Sequence, residues 1–192
     1  MTSDKYGSFE ELKRHETLDQ DYTISLRDVG SRVSIIAPHG GKIEPRTSDL
    51  ARLIAGANYN LYCFEGIKDK ENGGLHITSH CFDEPGALGL VSKSALVVAV
   101  HACTGTTGKV YIGGLHKTLG RLIAKKLQDC GIRVSNDHPR FQGLNPANIC
   151  NRGITGKGVQ LEVTRDLRDD LKKVALISEA VRLALSNFGV PE

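Results

Sequence analysis

Two histidines and a glutamate stand where catalytic metal sites are commonly built. His39 follows an apolar stretch at residues 33–37, and two glycines lead from it to Glu44. His101 follows a second apolar stretch, at residues 95–100. Two imidazoles and a carboxylate can supply the three protein ligands of a catalytic zinc ion, which leaves the fourth position for water. The pattern therefore predicts a zinc-dependent hydrolase with one Zn²⁺ per chain, held by these three side chains.

Each of these residues also has an ordinary structural explanation. Glu44 could be a solvated loop residue, and His39 could cap the helix that follows. His101 is the stronger candidate, because a polar side chain at the end of a buried strand needs a partner, which a metal ion supplies. A structural histidine with a protein partner is the alternative there.

A second glutamate is the candidate general base. Glu162 lies near the end of the apolar stretch at residues 159–163, just before a charged segment. A glutamate beside a zinc-activated water can take its proton, because the metal lowers the pKa of that water to about 7. The alternative is that Glu162 is a surface carboxylate.

Polar residues in two other segments are candidates for substrate contacts. Arg152 lies in a polar loop and has a planar guanidinium that suits a carboxylate, although it could also form an ordinary ion pair. His76 and His80 have the i, i+4 spacing that would chelate a metal on a helix. The residues around them favour a strand, in which they would lie about 13 Å apart. We therefore predict that His76 contacts the substrate or supports the metal ligands, and we assign no role to His80.

Composition and charge indicate a globular protein and exclude several function classes. The chain has 192 residues, of which 40% are hydrophobic and 24% charged, so we expect a single domain over residues 1–192. The formal charge of +3 comes from scattered basic residues and gives no indication of nucleic-acid binding.

Five cysteines without a CxxC pair favour a reducing compartment. Without a leader or a membrane-spanning stretch, we expect a cytoplasmic monomer with no membrane partner.

Strand-like and helix-like segments alternate along most of the chain. The predicted strands cover residues 22–26, 32–37, 60–65, 75–79, 95–100, 109–112, 132–135 and 159–163, and the predicted helices cover residues 8–20, 47–56, 85–92, 115–129 and 169–187. Ser8, with Glu11 three residues later, is the predicted N-cap of the first helix. This alternation predicts an α/β fold, a three-layer α/β/α domain with a mixed central sheet, with its ligand site at the carboxyl ends of the strands.

Six short motifs follow one another within residues 8–185. They are HGGKIE at 39–44, LHITS at 75–79 with FDEP at 82–85, the histidine at 101, YIGG at 111–114, NICNR at 148–152 and GKGVQLE at 156–162. Each motif is weak alone. Together and in this order they resemble the phage and Bacillus poly-γ-glutamate hydrolase family, which is related to zinc carboxypeptidases and to N-formylglutamate and succinylglutamate deacylases.

The resemblance implies a zinc carboxypeptidase-like fold with the same three metal ligands and with Glu162 as general base. It also implies that Asn151 and Arg152 hold a glutamate carboxylate. Two positions depart from the family pattern. His101 is followed by alanine where a glycine is expected, and His80 stands at a position where we expect no histidine.

The resemblance further implies hydrolysis of γ-glutamyl amide bonds by metal-activated water, with a polyanionic γ-glutamyl polymer or peptide as substrate. It suggests removal of a host's poly-γ-glutamate capsule, and release by cell lysis is the simplest route to that polymer. Two alternatives stay open. One is a zinc amidohydrolase that acts on a small N-acyl glutamate or a cell-wall γ-glutamyl peptide. The other is a non-enzymatic binding module whose histidines are structural.

Overall fold

Residues 4–189, which the computed structural model describes, contain seven strands in one mixed sheet. The strands are β1 Tyr22–Arg27, β2 Val33–Gly41, β3 Asn60–Gly66, β4 Leu96–Cys103, β5 Lys109–Gly113, β6 Arg133–Ser135 and β7 Val159–Thr164. The helices are α1 Phe9–Leu12, α2 Thr47–Ala55, α3 Pro85–Val91, α4 Lys117–Asp129, α5 Arg165–Arg168 and α6 Leu171–Phe188. These bounds confirm the predicted alternation of strands and helices along most of the chain.

The parallel centre of the sheet brings the predicted site residues to one edge. The strand order is β1-β3-β2-β4-β7-β5-β6. Strands β3, β2, β4 and β7 are parallel, whereas β1 pairs antiparallel with β3, and β5 pairs antiparallel with β7. The register of β4 and β7 places His101 directly opposite Glu162. Because paired residues of neighbouring strands point to the same face, these two side chains lie side by side.

Two layers of apolar residues bury the sheet on both faces. Helices α2, α4 and α6 cover one face, where Leu50, Leu119 and Val181 pack against the strands. Helices α1 and α3 cover the other face together with long loops, and the aromatic residues Phe64 and Phe82 fill that side. Burial on both faces explains why the central strands have continuous apolar sequences. The predicted three-layer α/β/α fold is confirmed.

The first helix is much shorter than predicted. The Ser8 hydroxyl accepts a hydrogen bond from the Glu11 N–H, as expected of an N-cap, but α1 ends at Leu12. The chain then turns so that the Glu16 carboxylate points inward and accepts hydrogen bonds from the Tyr6 hydroxyl (2.6 Å) and from the Lys5 ammonium (2.9 Å). The chain forms these buried polar contacts in the segment where the sequence predicts further turns of the helix.

The strand predicted at residues 75–79 is wrong. Residues Asn72–Leu75 form a 3₁₀ turn, and an irregular segment follows. Its backbone groups pair with side chains instead of a neighbouring strand. The Thr78 N–H donates to the Asp4 carboxylate (2.6 Å), and the Ile77 carbonyl accepts from Nε2 of His39 (2.7 Å).

No helix within residues 4–189 has the length and apolar character needed to cross a membrane.

Candidate metal centre

A tight turn at the end of β2 brings His39 and Glu44 together. The Glu44 N–H donates to the His39 carbonyl at 2.9 Å, which closes the turn. Gly41 has a φ of 62°, a conformation that favours glycine. A Cβ at this position would also meet the carbonyl oxygen of Gly66 at 2.5 Å. The glycines therefore allow the carboxylate to return to the imidazole.

The side-chain atoms of three predicted ligands converge on one point. Nδ1 of His39 lies 3.1 Å from Nδ1 of His101. The Glu44 carboxylate places Oε1 3.6 Å from the first of these nitrogens and Oε2 3.8 Å from the second. Ligands bound about 2.0–2.1 Å from a tetrahedral zinc ion lie roughly 3.3 Å from one another. With one ligand atom from each residue, the three groups lie within 4.8 Å of one another, and such a group could hold a single metal ion.

Further contacts fix the orientation of two of these side chains, His39 and Glu44. Nε2 of His39 donates to the Ile77 carbonyl, which leaves Nδ1 with its lone pair. The Glu44 Oε2 atom accepts a hydrogen bond from the Ala102 N–H at 2.9 Å. Burial, followed by the nearby His39, lowers the pKa of His101 to about 3, so this imidazole is neutral at neutral pH. Partners of this kind hold a ligand in place for a metal, so the residues present fit a metal site.

An open cleft of about 460 Å³ contains the candidate ligands together with Glu162. The Glu162 side chain is buried beside His101, its register partner. Burial, followed by the negative charge of Glu44, raises the pKa of Glu162 well above that of an ordinary glutamate. A carboxylate with a raised pKa can accept and return a proton near neutral pH.

A chain of two side-chain amides leads to Glu162. The Nδ2 amide of Asn148 donates to Oε1 of Gln160 (2.9 Å), and Nε2 of Gln160 donates to Oε1 of Glu162 (3.0 Å). All three side chains are buried. Because Oε1 of Gln160 accepts from Asn148, its NH₂ group faces the carboxylate. Our sequence reasoning missed Gln160. The i, i+2 spacing from Glu162, which places both side chains on one face of β7, is the signal that could have identified it.

His76 contacts a candidate ligand and lines the same cleft. Its ring centroid lies 4.0 Å from that of His39, and its Nδ1 lies 2.8 Å from the Asp4 carboxylate. The exposed His80 also lines the cleft. Asp4 was not predicted, because nothing in the local sequence relates it to a partner 72 residues later.

Asn151 and Arg152 hold loops and are not among the described residues that line the cleft. The Asn151 amide donates to the carbonyls of Gly143 (2.8 Å) and Asn145 (2.9 Å). The Arg152 guanidinium donates to the carbonyl of Ala147 (2.7 Å) in the same loop and to that of His80 (3.1 Å) in a distant segment. The predicted contact of this pair with a substrate carboxylate stays a prediction.

Comparison with known proteins relates nearly the whole chain to one family. The family model described as poly-gamma-glutamate hydrolase matches residues 6–185. The SPbeta prophage-derived protein YoqZ of Bacillus subtilis is 39% identical over 173 residues. That alignment covers 89% of this chain and 62% of YoqZ, so the chain spans less than two thirds of the length of this relative.

Two solved structures share the fold over nearly their full length. A bacteriophage poly-gamma-glutamate hydrolase matches with a TM-score of 0.92 and 31% identity, covering 97% of this chain and 98% of that chain. The zinc-free form of YndL, a Bacillus subtilis protein, matches with a TM-score of 0.90 and 32% identity, covering 97% and 99% of the two chains. On the strength of the family match and of these similarities, the chain belongs to the poly-γ-glutamate hydrolase family.

Proposed function

We propose that the protein hydrolyses γ-glutamyl amide bonds of poly-γ-glutamate and uses one zinc ion to do so. The observation that carries the proposal is the convergence of two imidazole nitrogens and a carboxylate, 3.1–3.8 Å apart, in the same cleft as a buried glutamate. Family membership supports the substrate class, because the matching family model covers residues 6–185.

The ion would be held by His39, Glu44 and His101. Two imidazoles and one carboxylate suit zinc, and a zinc-free form is described for the relative YndL. When bound, the ion supplies Lewis-acid polarisation of the amide carbonyl and lowers the pKa of water.

The chain's own residues move the proton and hold the geometry. Glu162 takes the proton of the attacking water and passes it to the leaving amine, a task that suits a carboxylate with a raised pKa. Gln160 holds Oε1 of this glutamate, which leaves Oε2 for the transfer. His76 keeps the ring of His39 in place, and Asp4 in turn orients His76.

Asn151 and Arg152 act by bracing the loops on the two sides of the cleft. Asn151 bonds to backbone carbonyls of one loop, and Arg152 bonds to backbone carbonyls on both sides. Their hydrogen-bond contacts support this indirect role, and the contact with a substrate carboxylate that the sequence implies stays a prediction.

The decisive test is the size distribution of poly-γ-glutamate after incubation with the purified protein. We expect the polymer to shorten, a chelator to stop the shortening and added zinc to restore it. Glu162→Gln should abolish cleavage while one zinc per chain stays bound. The matched control is Glu179→Gln, which changes an exposed glutamate of α6 and should leave the activity unchanged.

Two results would contradict the proposal. An intact polymer, with one zinc bound per chain, would move the assignment to a small N-acyl glutamate or a γ-glutamyl peptide. An intact polymer without bound zinc would favour a binding module.

A further inference from the structure

The side chains that line the cleft include two carboxylates and one permanent cation. Glu44 and Glu162 are the carboxylates. Among the described residues that line the cleft, Arg140 is the only lysine or arginine. Poly-γ-glutamate has one free α-carboxylate on every residue, so the substrate is a polyanion. A substrate of this charge therefore needs a cationic partner in the cleft besides the metal ion.

The guanidinium of Arg140 is available for such a partner. Within residues 4–189, no carboxylate forms an ion pair with Arg140 at 4.0 Å or less. Among the hydrogen bonds within residues 4–189, Arg140 takes part only through its backbone N–H, which donates to Nδ1 of His138 at 3.3 Å. Its guanidinium carbon lies over the Phe141 ring, 6.0 Å from the ring centroid. Arg152 differs, because its guanidinium donates to three backbone carbonyls.

Aromatic contacts hold the loop that contains Arg140. The rings of His138 and Phe141, on either side of it, stack with their centroids 4.0 Å apart. Both rings pack against Tyr111 of β5, at centroid distances of 5.0 and 5.4 Å. A hydrogen bond of 2.8 Å from the Gly114 N–H to the Gln142 carbonyl attaches the loop backbone to the end of this strand.

Gly113 makes this close approach feasible. A Cβ at Gly113 would collide with the carbonyl oxygen of Phe141 and would lie 2.7 Å from that of Gln142. Asn151 holds the next part of the loop through the Gly143 carbonyl. The YIGG and NICNR motifs thus both hold the loop that brings Arg140 to the cleft.

We propose that Arg140 forms a subsite that binds an α-carboxylate of a γ-glutamyl residue in the cleft beside the metal site. This inference rests on the proposed function and extends it. The contact is charge-assisted and can be bidentate, and it requires a free carboxylate on the substrate. The specificity for γ-glutamyl chains with unmodified α-carboxylates then comes from a loop residue that neither the metal site nor the Asn-Arg pair includes.

The test measures kcat and KM of the zinc-loaded enzyme on poly-γ-glutamate and on the same polymer with methyl-esterified α-carboxylates. For Arg140→Ala we expect KM on the free-carboxylate polymer to rise about tenfold or more, which is the loss typical of a charge-assisted hydrogen bond. Arg140→Lys should recover part of the loss. On the esterified polymer, wild type and Arg140→Ala should have the same KM. The matched control is Arg121→Ala, an exposed arginine of α4 outside the cleft, which should change neither constant.

The outcomes separate this inference from the proposed function. If wild type cleaves the polymer and Arg140→Ala has the same KM, the subsite is wrong and the function stands. An equal loss on both polymers would assign the effect to a displaced loop and would also overturn the subsite. If the wild-type protein does not cleave the polymer, calorimetry is used to compare how tightly wild type and Arg140→Ala bind the free-carboxylate polymer. Weaker binding by Arg140→Ala supports the subsite, whereas equal binding, or none by either protein, overturns it.

Discussion

The side-chain amide of Gln160 donates a 3.0 Å hydrogen bond to the Glu162 carboxylate, two residues along the same strand. The donor cannot rotate away freely, because Asn148 donates to the carbonyl oxygen of the same amide. One oxygen of the proposed base is therefore held in place by an amide that the Asn148 side chain holds in turn.

Gln160→Leu should lower kcat by about tenfold or more, because a hydrogen bond to a charged group contributes about 1.5–3 kcal/mol. Zinc content should stay at one per chain, since the ligands are unchanged. Steady-state kinetics together with metal analysis would check both statements. Gln128→Leu, at an exposed position of α4, is the control. An unchanged kcat in Gln160→Leu would show that Glu162 does not need this donor.

Zinc should stabilise the fold, because it binds the native arrangement of ligands. At a free concentration of 100 times its Kd, the ion should raise the free energy of unfolding by about 2.7 kcal/mol. The melting temperature should fall when a chelator is added. Glu44→Gln and His101→Ala should abolish this difference, whereas His80→Ala should keep it. A zinc-dependent rise in the melting temperature of His101→Ala would contradict the proposed ligand set.

Asp4 should stabilise the segment around His76. Its carboxylate accepts two hydrogen bonds from Thr78, one from the N–H and one from the hydroxyl, both at 2.6 Å. Asp4→Ala should cost about 1–3 kcal/mol of unfolding free energy in urea and should speed hydrogen exchange at the Thr78 amide. Asp129→Ala, at an exposed position of α4, is the control. Unchanged exchange at Thr78 would mean that other contacts hold the segment.

Glu16 should make the stability of the protein depend on pH in acid. Burial raises the pKa of Glu16, but hydrogen bonds from Lys68, Tyr6 and Lys5 outweigh it and lower the pKa from 4.5 to about 2. Because the folded-state pKa is depressed, the stability from this carboxylate is present above the unfolded pKa and is lost as the pH falls towards the folded pKa.

Urea unfolding of wild type and Glu16→Gln at several pH values would test this dependence. The advantage of wild type should be constant above pH 4.5 and should shrink between pH 4.5 and about 2. Glu10→Gln, at an exposed position of α1, should show little difference from wild type. An advantage of wild type that persists undiminished towards pH 2 would contradict the assigned pKa.

The sequence predicted the structure correctly where residues close together in the chain specify the backbone conformation. The Gly-Gly pair between His39 and Glu44 indicated a turn that returns the carboxylate to the imidazole, and the structure contains that turn. The apolar stretch before His101 indicated a strand buried on both faces, which β4 is. The strand predicted at residues 75–79 failed because alternate burial of Leu75 and Ile77 does not by itself create a strand. The backbone groups of this segment form hydrogen bonds with side chains and not with a neighbouring strand.

Sequence by itself determined the chemistry available to this protein: two histidines and two glutamates near the ends of buried strands, in an α/β chain with the motifs of one family. Only the tertiary structure decided which atoms meet. It places Nδ1 of His39 beside Nδ1 of His101 across 62 residues of chain, and it brings Arg140, not Arg152, into the lining of the cleft. The physical reason is that strand order and loop packing select hydrogen-bond partners between distant residues, and no local pattern specifies that choice.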